Sequence, residues 1–62
     1  MLKREIIVGH VRNIGPATAP DLAAKYDISE GHIRSVLMWH VWRGDFTRDE
    51  TVRPFLYSGR RP

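Results

Sequence analysis

The sequence predicts an α+β domain of three helices followed by a C-terminal two-stranded β-hairpin. Three observations predict it. Apolar residues recur at helical spacing over about 2–13, 19–26 and 29–43. Cap and stop residues punctuate those stretches: Gly15-Pro16, Thr18, Ser29 and Gly44. Beyond Gly44 the period shortens, and Phe46, Phe55 and Tyr57 fall in two short runs on either side of Asp49-Glu50-Thr51.

In the first helix, Ile6, Ile7, His10, Val11 and Ile14 fall on one side, while Glu5, Gly9 and Arg12 fall on the other. Gly15 and Pro16 end it, since glycine accepts a positive φ and proline cannot continue a helix. Thr18 is the expected N-cap of the second helix, with Asp21 favoured at its positive end. Pro20 is tolerated in a first turn, where its missing N–H has no intrahelical partner. Leu22, Ala23 and Tyr26 have the spacing of a buried face, and the small Ala23 lets the next helix come close.

Tyr26-Asp27-Ile28 is the expected turn, with Ile28 as an apolar plug. Ser29 caps the third helix and Glu30 occupies its first turn. Ile33, Val36, Leu37 and His40 line its inner face, and Gly44 stops it. Residues 45–48 form the first strand with Phe46 inward; residues 52–57 form the second, with Phe55 and Tyr57 on one face. Pro54 lacks an N–H and favours an edge. Residues 58–62 read as a basic tail.

The 62 residues make a single domain. A chain this short buries only about 60% of its unfolded surface and is marginal in stability. With no cysteine, it has no disulfide or thiolate metal site to staple it. No apolar run approaches the ~20 residues of a membrane span, and the N-terminus lacks the pattern of a secretory signal. The cytoplasm is the expected compartment, with no membrane partner.

The charge is divided unevenly. Residues 1–33 carry four basic and four acidic side chains. Residues 34–62 carry six arginines against three acids, so the net +3 lies in the second half. Arginine's planar fork suits phosphate and guanine.

Catalysis finds no support. Ser29, Ser35 and Ser58 have no nucleophile motif, and the five glycines form no phosphate-cradling loop. His10, His32 and His40 make no i, i+4 pair, and no cysteine accompanies them, so neither metal nor cofactor is expected. His10 and His40 read as core residues.

The ordered series Leu22, Ala23, Tyr26, Ile28, Ile33 and Val36, then Leu37, Gly44, Phe46 and Arg48, then Phe55 and Tyr57 resembles the winged helix-turn-helix family of DNA-binding domains. The resemblance covers roughly residues 2–57. Asp27 stands where that family usually has glycine, and aspartate tolerates the left-handed conformation better than most residues. His40 stands where the family usually has a core leucine.

The resemblance implies a small transcriptional regulator that binds double-stranded DNA. The third helix would enter the major groove with Glu30, Gly31, His32, Arg34, Ser35 and Met38, beside its cap Ser29. Arg34 is the candidate for bidentate contact to guanine, and Ser35 would read less selectively. Arg48 and Arg53 flank the wing turn and would hold phosphate or enter the minor groove. Thr18 would meet a phosphate at the start of the second helix; Arg60 and Arg61 would reach another from the tail.

Met38, Trp39 and Trp42 do not fit a plain DNA reader. The tryptophans either fold against the wing and tail, over Pro54, Phe55 or Leu56, or form a protein interface, where tryptophan is enriched at hot spots. Contact with DNA sugars or thymine methyls is a third reading. The alternative function is thus a winged-helix protein–protein module, or a homodimer, using Met38, Trp39 and Trp42.

Overall fold

A computed structural model describes residues 2–59. They form a small α+β fold in the order α1 (Lys3–Gly9), a π-helical continuation (His10–Ile14), β1 (Ala17–Thr18), α2 (Ala19–Tyr26), α3 (Glu30–Arg43), β2 (Phe46–Asp49) and β3 (Leu56–Gly59). The sheet is antiparallel in the order β1-β3-β2. α3 packs against both α1 and α2, and the core lies between the helices and the sheet. Among the described residues, no helix is long and apolar enough to cross a membrane.

The first helix runs one residue past the expected Asn13 and changes its winding on the way. The Gly15 N–H donates to the His10 carbonyl at 3.0 Å, the five-residue step of a π-helix. The wider turn slips the helix face: Val11 stays buried, but Ile14 is turned out and is 69% exposed. Ile14 is therefore not a core residue, contrary to the α-helical spacing. Gly15 leaves the helix with φ 144°, open to glycine at little steric cost.

β1 was not expected, because two residues have no readable period. Ala17 pairs with Tyr57 and Thr18 with Leu56. α2 begins at once, with the Asp21 N–H donating to Thr18 Oγ1 at 3.3 Å. Asp27 takes the left-handed conformation at φ 54° and ψ 49°, as the turn requires, and Ile28 is buried behind it. Ser29 occupies the N-cap position of α3, but its hydroxyl makes no cap bond; that part of the expectation is corrected. Gly44 ends α3 at φ 85°, with the next N–H, from Asp45, donating back to the His40 carbonyl at 2.9 Å.

The hairpin is displaced from its expected position. β2 begins with Phe46, buried as expected. The returning strand pairs only from Leu56, and Ser58 and Gly59 belong to it rather than to a tail. Two local causes delay the return. Asp49 accepts the Thr51 N–H at 2.9 Å, a side-chain turn that pulls the chain out of the ladder. Pro54 then offers no N–H to pair. Phe55 lies in the resulting loop, half-buried, and does not share a sheet face with the buried Tyr57. Arg60 and Arg61 lie outside the described residues.

Ile7, Leu22, Ile33 and Leu37 are the largest fully buried side chains. Ala17 and Ala19, which periodicity did not mark, are buried with them. Among the described residues, His40 is the buried polar or charged side chain outside the hydrophobic core. His10 is half-buried and shares a 2.8 Å hydrogen bond with the Tyr26 hydroxyl, which ties α2 to the first helix.

Candidate functional site

The expected site residues separate into two groups on either side of α3. Arg34 and Met38 of α3, Arg48 of β2 and Arg53 of the hairpin loop line one groove of about 330 Å³, closed by Pro20, Phe55 and Tyr57. His32 and Ser35 line a different hollow, beside α1. Glu30 is half-buried, and Ser29 and Gly31 are exposed at the start of α3.

Three arginines from three elements thus meet where α2, α3 and the hairpin converge. Local chemistry holds each one. Arg34, four residues after Glu30, forms an ion pair with it along the helix surface. Arg48 pairs with Glu50 and donates to Met38 Sδ. Its guanidinium lies 5.0 Å from the centroid of the Phe55 ring, and that of Arg53 lies 4.9 Å from the same ring. Stacking uses the face of a guanidinium and leaves N–H groups on its edge to meet an anion. Arg48 Nε is buried without a hydrogen-bond partner.

Both acids of the hairpin turn are engaged. Glu50 pairs with Arg48, while Asp49 is occupied with Thr51. The Thr51 hydroxyl, followed by its backbone N–H, holds the Asp49 carboxyl below its ordinary range. An exposed ion pair contributes about 0–1 kcal/mol. The Arg34–Glu30 pair, whose arginine side chain is 63% exposed, is therefore weak, whereas Arg48 is more firmly held, with its side chain 24% exposed.

Other expected contacts are partly occupied. The Ser35 hydroxyl donates to the Gly31 carbonyl at 3.1 Å, so its proton is used within the helix. Thr18 Oγ1 accepts from Asp21 and keeps its own proton to donate. A Cβ added to Gly31 would meet only Ser29 Oγ, at 3.8 Å, an ordinary contact. The fold itself therefore has no need of glycine there.

The tryptophans do not cover the hairpin. Trp39 is 48% and Trp42 81% exposed, and it is the two arginines that lie over Phe55. Trp39 instead faces α1, with Arg43 over its ring at 4.7 Å. Met38 belongs to the arginine groove, away from Trp39. Phe55 and Pro20 are groove residues that the sequence did not mark: Phe55 has the pattern of a strand residue and Pro20 that of a helix start, and neither pattern reports which elements meet.

Among the described residues, no cluster of histidine and acidic side chains could hold a metal ion. Comparison with family models, curated proteins and solved structures gives no match.

Proposed function

We propose that this chain is a winged helix-turn-helix protein that binds double-stranded DNA sequence-specifically and acts as a small transcriptional regulator. The observation that carries the reading is the convergence of Arg34, Arg48 and Arg53 on one groove. The left-handed turn at Asp27, the stop at Gly44 and the hairpin that follows support the winged-helix assignment.

On this reading α3 enters the major groove. Arg34 leaves Glu30 to contact guanine O6 and N7, with Met38 against a thymine methyl. Arg48 and Arg53 grip phosphate or the minor-groove edge from the hairpin. Gly31 presents bare backbone at the start of α3, so the duplex approaches closely there.

Selection of bound duplexes from a random pool, followed by titration at several salt concentrations, tests the reading. An enriched motif and a log–log salt slope at least as steep as about −2, the release from two phosphates, are expected. No enrichment and no salt dependence would overturn it.

A further inference from the structure

A second surface lies round α3 from the arginine groove. Arg34 and Trp39 are five residues apart, which places them about 140° apart round the helix. On the Trp39 side, two adjoining hollows run between α1 and α3. The first, of about 700 Å³, is lined by Leu2, Lys3, Arg4, Val36 and Trp39 among others. The second, of about 400 Å³, shares Arg4 and Trp39 and adds Glu5, Val8 and Arg43. Together they form one trough.

The floor and lip of the trough are apolar and open. Leu2 at the lip is 59% and Trp39 48% exposed. Isolated exposed apolar residues are ordinary, but a tryptophan-centred group beside a cleft marks an interaction surface. The rim carries Lys3, Arg4 and Arg43 against Glu5, with Arg43 also 3.6 Å from Asp45.

That rim decides the occupant. A second copy docked by two-fold symmetry would bring the same patch, with its excess of cations, to both sides of the contact. A duplex seated on the arginine groove would face the other side of α3. A segment with acids flanking an apolar stripe complements both the charge and the apolar floor. From His32 to Arg43, α3 is about 16 Å long, the length of roughly three helical turns. We propose that the α1–α3 trough docks an acidic amphipathic helix of a partner protein, with Trp39 as its apolar anchor and Lys3, Arg4 and Arg43 as its charged rim. This inference does not depend on the DNA reading.

Two synthetic peptides of about 12 residues, with leucines at i, i+3, i+4 and i+7 and either glutamate or lysine between them, provide the test. Affinity is read from tryptophan fluorescence, and the bound surface from amide chemical shifts. The acidic peptide is expected to bind about tenfold or more tightly than its basic counterpart, shifting residues 2–8 and 32–43. Trp39→Ala should weaken it at least about tenfold, and Lys3→Glu/Arg4→Glu should erase the preference for acid. A thermal melt confirms that each variant folds, and because Trp39 lies away from the arginine groove, any DNA binding should persist in Trp39→Ala. Equal binding of both peptides, or shifts centred on Arg34 and Phe55, would overturn the proposal. So would a dimer in sedimentation that Trp39→Ala dissociates, or protection of the trough by duplex DNA.

Discussion

His40 Nδ1 lies 3.0 Å from the carboxylate of Asp45. The pair joins the last turn of α3 to the residue that opens the hairpin. Asp45 also gathers Arg43 at 3.6 Å and Arg12, on the first helix, at 3.8 Å. The buried His40 is therefore tied into a junction of three elements, and its ring packs 5.0 Å from that of Phe46.

That junction predicts an acid limit on stability. The His40 hydrogen bond holds the Asp45 carboxyl below its ordinary range despite the opposing effect of burial, and the charges of Arg43, His40 and Arg12 add to it. A carboxyl that protonates less readily when folded contributes fully above its unfolded pKa of about 3.9. Its contribution is lost as pH falls through the lower folded value. Asp49 behaves in the same sense, through Thr51. Thermal midpoints should therefore fall with acid below about pH 4, less steeply in Asp45→Asn and least in Asp45→Asn/Asp49→Asn. Identical slopes in all three proteins would refute this account.

Gly31 separates folding from binding. Alanine there relieves a helical glycine and should raise stability by about 0.5–1 kcal/mol, a rise of several degrees in the midpoint for a domain this small. The added methyl should at the same time weaken DNA binding, because the proposed approach of the duplex is closest there. A more stable variant with undiminished DNA affinity would show that α3 does not meet the duplex at its first turn.

Arg34 and Glu50 should have opposite effects on DNA. Arg34→Ala is expected to relax preference at one or two base positions by about 1–3 kcal/mol, seen by repeating the pool selection. Glu50→Gln removes the acid that competes for Arg48 and should tighten binding to all sequences alike. Weaker binding by Glu50→Gln would mean that Glu50 positions Arg48 for its contact rather than competing for it.

Leu37 tests how little stability the domain has in reserve. It is fully buried, and truncation to alanine at such a site costs about 2–5 kcal/mol. Against a small domain's narrow margin, Leu37→Ala should be largely unfolded at 37 °C by circular dichroism, whereas Val52→Ala in the exposed loop should melt like the parent. A cooperative melt of Leu37→Ala near the parent midpoint would contradict the core described above.

The helices were legible because each depends mainly on local chemistry. α2 has its cap at Thr18 and its end at Asp27; α3 has its buried stripe at Ile33, Val36, Leu37 and His40 and its stop at Gly44. What could not be read depends on the path the backbone takes, whether set locally or by a distant partner. β1 exists only because Ala17 meets Tyr57, and Ile14 turns outward only because the Gly15 N–H chooses the His10 carbonyl. The position of the returning strand is set by Asp49 folding back on Thr51. The arginine groove was half visible: the charges were marked individually, but the Phe55 ring beneath two of them follows from the loop's path. The trough beside α1 was hidden because Leu2, Lys3 and Arg4 read as an ordinary helix start until α3 is placed against them.

The sheet order has a consequence for how the chain folds as it is made. Its middle strand, β3, is the last element of the described residues, and it holds β1, some forty positions earlier, against the hairpin. A ribosome delivers the chain from its N-terminus, so all the helices emerge before the strand that organises the sheet. Until Tyr57 arrives, Ala17 has no strand partner and the core lacks the second of its buried aromatic residues, after Phe46. The helix-bearing portion should therefore remain open, exposed to proteases and chaperones, and the domain should close in a single late step.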